Sequence, residues 1–279
     1  MILAAKRTPV LKSLSKGITI SDLFRATLLA TLGKIPLTPA GVEIVMGCGL
    51  SLKEVNFESS NIRLICGYNS GLESIIQQHK NNLVLCGGFD FPSKESFTDQ
   101  LTSNERVASI IENLAAKYEI TQDNLDELRI KSYEKAKKAK KTRILKREIL
   151  EVNNIKHDEK LMSQMSEFGC NTYGLQGLLL ASKEYVIDNK VQPRAEVITS
   201  YEIKSSSIEF PLLTIQAIDN CIQRARLRIE DIDYFEIDET FGITPILLNR
   251  IKGIDIRRIN MHGGTLALCD PIGYLILTL

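Results

Sequence analysis

Apolar side chains recur at Ile20, Leu23, Phe24, Leu28 and Leu32, the spacing of one helical face. A Thr38-Pro39 turn follows, and then Val42-Glu-Ile-Val-Met-Gly47 reads as a strand. The same order returns late in the chain. Ile215, Ile218, Cys221, Ile222 and Ala225 form a second helical stripe, Arg228 to Asp233 makes a turn, and Tyr234-Phe-Glu-Ile237 reads as a strand. Each unit leads through a glycine-containing segment into an apolar run: Cys66-Gly-Tyr-Asn-Ser-Gly-Leu72 in the first, His262-Gly-Gly-Thr-Leu266 in the second. Two copies of one α/β unit are therefore expected. Ile2 to Ala5 predicts an opening strand. The unbroken apolar run Leu83-Val-Leu-Cys86 predicts a strand covered on both faces.

Between the copies, from about Phe91 to Ser166, strand signals give way to charge, with helices predicted over Ser109 to Ala116 and Asp123 to Lys140. The expected organisation is an N-terminal half over 1–90, a helical region over 91–166 and a C-terminal half over 167–279. Lys135, Lys137, Lys138, Lys140, Lys141, Arg143, Lys146 and Arg147 form a basic run in the middle part, read as a solvated helix surface or as a dock for a phosphate-bearing ligand.

The bulk composition narrows the function classes. The 279 residues are 44% hydrophobic and 25% charged, enough to bury one large core or two fused smaller ones. A net charge of +1 provides no global field to recruit nucleic acid or an anionic membrane. Six cysteines lack any C-x-x-C pair and are accompanied by only three histidines, so no metal site is expected. Most of these thiols sit in apolar runs, as reduced buried cysteines do. No apolar stretch is long enough to span a bilayer, the opening strand expected from Ile2 leads to the expectation of no presequence, and Leu-Thr-Leu does not read as a peroxisomal address. The cytoplasm is the expected compartment.

Seven segments, in order, carry a family likeness. They are Ala4-Ala-Lys-Arg-Thr-Pro9, Val45-Met-Gly-Cys-Gly-Leu50, Leu85-Cys-Gly-Gly-Phe-Asp90, Glu112 to Ser132, Tyr173-Gly-Leu-Gln-Gly177, Leu213 to Gly242 ending in Asp238-Glu-Thr-Phe-Gly242, and Asn260-Met-His-Gly-Gly-Thr-Leu-Ala-Leu-Cys-Asp-Pro-Ile-Gly273. Together they resemble the thiolases. The resemblance implies a duplicated five-layer αβαβα fold with a shortened helical loop domain and a C-terminally truncated second half. It also implies a dimer, either a homodimer or a mixed pair with another thiolase-like chain, and coenzyme A or an acyl-CoA as ligand, with no further cofactor required. A phosphate dock in the basic run would suit that ligand's phosphorylated adenosine.

Thiolases acylate a cysteine at a helix N-terminus and resolve the thioester with a second acyl group or with coenzyme A. Only the thiolate attacks, and donors must meet the developing oxyanion. Set on this chain, the family's Cys-x-Ser-Gly-Leu motif puts Tyr68 at the nucleophile position when no gap is allowed. A tyrosine, with pKa about 10, is no thioester nucleophile here. A two-residue insertion would let Cys66 serve instead.

Asp270 stands where the family has its catalytic histidine, and Asp238 where it has the motif asparagine. An ionised carboxylate has no proton to give an oxyanion. His262, in place of an asparagine, reads as a turn residue or a substitute base. The family's Cys-x-Gly-Gly segment, which carries the proton-shuttling cysteine, has no counterpart before Leu279. Tyr173 to Gly177, one residue short of the family pattern, corresponds to the wall of the pantetheine tunnel. The expected function is that of a thiolase-family protein, acetyl-CoA acetyltransferase-like, which has lost acyl transfer and kept a binding or assembly role. The alternative is an active acyl-CoA acyltransferase of the acetoacetyl-CoA thiolase type with Cys66 as nucleophile.

Overall fold

A computed structural model of the chain describes residues 1–11, 13–14, 18–35, 41–48, 62–66, 83–90, 105–158, 173–203, 209–239 and 241–268. Its centre is one mixed sheet of five strands in the order β1-β5-β4-β2-β3. These are β1 (Ile2–Arg7), β2 (Glu43–Cys48), β3 (Ile62–Cys66), β4 (Leu83–Asp90) and β5 (Gly174–Ala181). β2 runs parallel to β3 and β4, while β5 is antiparallel to both β1 and β4. Gly174–Ala181, which the expected C-terminal half includes, pairs in this sheet between β1 and β4. Leu85 to Asp90, which resembles a turn of the family, is part of β4; Leu85 to Phe89 pair on both sides and Asp90 pairs with Gly174.

Both faces of the sheet are buried, which explains the unbroken apolar run at Leu83 to Cys86. Leu83, Leu85 and Phe89 point to a core shared with Leu175, Leu179 and helix α1 (Ile20–Leu32). Val84 and Cys86 point the other way, against Ile2, Val45, Leu178 and Leu180. α1 spans the residues expected from its stripe. It begins at a reciprocal cap in which Thr19 Oγ1 accepts from Asp22 N at 3.1 Å and Asp22 Oδ2 accepts from Thr19 N at 2.9 Å. The free edge of β1 is covered at both ends: Ile2 bridges to Ala195 and Arg7 to Ile149.

The remaining helices are α2 (Glu105–Lys117), α3 (Gln122–Thr142), α4 (Lys183–Asp188), α5 (Phe210–Ala225), α6 (Ile243–Lys252) and the short α7 (Thr265–Leu268), and all but α4 contribute to a second core. α2, α3, α5 and α6 bury Leu114, Leu128, Ile215, Ile246, Leu247 and Leu248 together, whereas Tyr185 of α4 belongs to the sheet's core. α2 and α3 contain the two helices expected in the charged middle part. α5 is followed by a 3-10 turn at Ile229–Asp231, as the echo of α1 requires. The strand expected over Tyr234 to Ile237 is reduced, among the described residues, to one parallel bridge between Phe235 and Ile259. Its parallel sense repeats the pairing of β2 with β3.

Candidate functional site

The bridge at Phe235 is extended by a side chain. Phe235 N donates to Arg258 O and Asn260 N donates to Phe235 O, after which the Asn260 amide takes over. Its Oδ1 accepts from Ile237 N at 2.7 Å, and its Nδ2 donates to Ile237 O at 2.8 Å. Asn260 holds a left-handed backbone, φ 48°, which asparagine tolerates better than most residues. The strand is therefore short because a turn residue replaces its next backbone pair.

The same Nδ2 donates to Glu239 Oε1 at 2.6 Å. Glu239 is 2% exposed, and its other oxygen, Oε2, accepts from Ser132 Oγ at 2.8 Å and from Leu266 N at 3.2 Å. Burial pushes its carboxyl pKa up, against the pull of these donors and of the more distant Lys135. A carboxylate can only accept, and every donor here is aimed at one, so the packing is built for the ionised form.

Glycines at 263 and 264 are required by this cluster. A Cβ on Gly264 would lie 2.3 Å from Glu239 Cδ and 2.6 Å from Asn260 Nδ2. One on Gly263, whose φ is +85°, would lie 2.6 Å from Ala136 Cβ. The His-Gly-Gly segment thus lets the turn sit directly on α3 and on Glu239.

Asp238, the altered position of the Asp-Glu-Thr-Phe-Gly motif, is exposed. Its Oδ1 accepts from Thr265 Oγ1 at 3.4 Å, and Thr265 Oγ1 also accepts from Glu239 N at 3.0 Å. His262 is half-buried; its Nδ1 is enclosed without a hydrogen-bond partner, and burial lowers its pKa, favouring neutral imidazole. Cys66 closes β3 at the carboxyl end of the parallel strands, in register with Cys48 of β2. Ligands of open α/β sheets bind at such ends. Only the backbones of Cys48 and Cys66 are described, and Tyr68, Cys269, Asp270 and the tail beyond Leu268 lie outside the described residues. Of the expected site positions, Asp238 and the Asn260 to Leu268 turn are brought together.

Sequence reading missed Glu239, Ser132 and Asn260 as a connected cluster. The sequence offered a signal for part of it only: the glutamate of Asp238-Glu-Thr-Phe-Gly242, and the asparagine that precedes the His262-Gly263-Gly264 segment.

The basic run divides its cations. Lys135 Nζ donates to the carbonyls of Ile256 and Ile259 at 2.9 and 2.5 Å, Lys140 Nζ donates to Asp158 O at 3.0 Å, and Lys137 lies over the Tyr133 ring. A groove of about 470 Å³ beside Lys131, Lys135, Lys138 and Arg257 also carries Glu134 and Asp255, so its field is of mixed sign. Among the described residues, no His, Cys, Asp or Glu group could hold a metal, and no helix is long and apolar enough to cross a membrane.

Comparison with known proteins identifies the lineage. Residues 71–173 match the thiolase N-terminal domain, and residues 191–275 match the thiolase C-terminal domain. A probable acetyl-CoA acetyltransferase of Dictyostelium discoideum is 24% identical over 92% of this chain and 75% of that protein. The mitochondrial acetyl-CoA acetyltransferase A of Xenopus laevis is 25% identical over 88% of this chain and 67% of that protein.

Among solved structures, a thiolase from Ascaris suum in complex with coenzyme A superimposes with TM-score 0.79 at 21% identity, covering 98% of this chain and 89% of that one. Human mitochondrial 3-ketoacyl-CoA thiolase in complex with CoA gives TM-score 0.79 at 22% identity, covering 98% and 87%. These likenesses show the thiolase-like α/β fold. With both family domains matched in order over about two thirds of its length, the chain belongs to the thiolase superfamily.

Proposed function

We propose that this chain binds coenzyme A or an acyl-CoA on a thiolase scaffold without performing acyl transfer, and serves a binding or assembly role. The observation that carries the reading is Asp238. The frame around it is fully bonded through Glu239, Asn260, Ser132 and Thr265, yet the position that resembles the family's motif asparagine presents an exposed carboxylate. An amide there could donate a hydrogen bond; an ionised carboxylate repels an oxyanion instead. Loss of one oxyanion donor alone lowers a rate by about 10²–10³. Two further changes in the sequence, Tyr68 and Asp270, act in the same direction. Coenzyme A in two similar solved thiolases supports the choice of ligand. Assembly as a homodimer or as a mixed dimer with a thiolase-like chain belongs to the same proposal.

The test is calorimetric titration of the purified chain with coenzyme A, paired with an assay of acetoacetyl-CoA thiolysis. Binding without turnover is expected, and turnover abolished by Cys66→Ala would overturn the reading.

A second reading, an active acyl-CoA acyltransferase, is favoured by one observation: Cys66 ends β3 at the carboxyl edge of the parallel strands. It predicts an iodoacetamide-reactive Cys66 protected by acetyl-CoA. Labelling of Cys66 no faster than that of the other accessible cysteines, and unchanged by acetyl-CoA, would defeat it.

A further inference from the structure

Ser132 occupies an unusual place for a serine in a helix. Such a residue ordinarily faces solvent or bonds back to the carbonyl four residues earlier. Here it is 2% exposed, and its hydroxyl does two jobs at once. It donates to Glu239 Oε2 at 2.8 Å and accepts from Gly264 N at 2.9 Å. These partners lie 107 and 132 residues away in the chain, on the two segments that form the candidate site.

Both other donors to Glu239, Asn260 Nδ2 and Leu266 N, come from the turn itself. Ser132 is the donor that reaches it from the helical region. One residue before Glu239 stands Asp238; one residue after Gly264 stands Thr265, which bonds both Asp238 Oδ1 and Glu239 N. Whatever fixes Glu239 and Gly264 relative to each other therefore fixes the Asp238–Thr265 pair.

We propose that Ser132 is the positioning residue of the acyl-CoA site, clamping Glu239 to Gly264 so that Asp238 and Thr265 face the ligand in one arrangement. This rests on the acyl-CoA reading above. Removing the hydroxyl takes a donor from a buried carboxylate and leaves the Gly264 N–H without its acceptor. The charged group that bears on Glu239 is Lys135, on the same helix as Ser132; its Nζ is spent on the carbonyls of Ile256 and Ile259 and does not replace the lost hydrogen bond.

The experiment compares wild type, Ser132→Ala, Ser132→Thr and Glu239→Gln. Coenzyme A affinity is read by calorimetry and thermal midpoint from about pH 5 to about pH 9. Ser132→Ala should weaken coenzyme A by about tenfold or more, while Ser132→Thr, which restores a hydroxyl, recovers most of the affinity. The midpoint gap between wild type and Ser132→Ala should widen with rising pH, because the ionised Glu239 has lost a donor. In the Glu239→Gln background, that widening should vanish. A wild-type chain that binds while Ser132→Ala binds equally well defeats the positioning role alone. So does a midpoint gap that is independent of pH. A wild-type chain that binds no coenzyme A defeats the acyl-CoA reading and the role with it.

Discussion

Arg7 and Asp158 meet as a buried two-pronged ion pair, Nη1 to Oδ1 at 2.8 Å and Nη2 to Oδ2 at 3.1 Å, across 151 residues of sequence. Arg7 Nε also donates to Glu148 Oε1 at 2.8 Å, and Val10 N to Asp158 Oδ1 at 2.8 Å. The cluster joins the end of β1 to the segment that returns from the helical region. Both partners are nearly sealed from solvent, so breaking the pair leaves a buried guanidinium short of its counter-charge. Asp158→Ala should destabilise the protein by about 3 kcal/mol, the lower end of the usual range because Glu148 remains. Urea denaturation measures it.

The two carboxylates of this cluster give opposite pH dependences. Burial works to raise the Asp158 carboxyl pKa, but Arg7 and the bond from Val10 outweigh it and hold it below the ordinary 3.8. Its contribution is present above pH 3.8 and is lost as pH falls through the lower folded value. Burial pushes Glu148 up from 4.5 despite Arg7, so its contribution is full below pH 4.5 and is lost as pH rises through the raised folded value. The stability difference between wild type and Asp158→Asn should therefore shrink on acidification below pH 3.8, and Glu148→Gln should flatten the decline above pH 4.5. Urea midpoints measured across pH check both signs.

At the turn, Gly264→Ala forces a Cβ to within 2.3 Å of Glu239 Cδ, and the neighbouring Asn260 amide is just as close-packed. The substitution should cost about 3 kcal/mol or prevent folding. Gly253→Ala, with open space around the added Cβ but a left-handed φ of +67°, should cost only about 1 kcal/mol. Equal losses at the two positions would show that the contact with Glu239 is not what selects glycine at 264.

Cys86 is sealed between β2 and β5, and burial pushes its thiol to about 12. Essentially no thiolate exists near neutrality. Iodoacetamide at about pH 8 should leave Cys86 unmodified in the folded protein and label it on unfolding, as peptide mass analysis would reveal.

Much of this fold was legible in the periodic segments. α1 matched its stripe residue for residue, and the two helices of the charged middle part were placed correctly, because five or more apolar positions at helical spacing admit few alternatives. β5 was harder. Gly174–Ala181 is buried on both faces, carries no alternation, and its place in the sheet depends on pairing with β1 and β4, which no local pattern records. The strand at Phe235 was anticipated by its apolar residues, yet it was shortened by Asn260, a side chain that imitates the next backbone pair. In the site, the altered motif positions were readable one by one. The Ser132–Glu239–Asn260 cluster was not legible as a unit: Glu239 and Asn260 are 21 residues apart, but Ser132 stands 107 residues before Glu239, and only burial and hydrogen bonding bring it there.

On the proposed function, ligand binding has outlived acyl transfer. The most direct measurement titrates acetoacetyl-CoA into the purified protein by calorimetry and then follows its thiolysis after adding coenzyme A to the same sample. A saturable binding isotherm with turnover no faster than the protein-free control is the predicted result. Turnover that saturates with acetoacetyl-CoA and disappears in Cys66→Ala would contradict it.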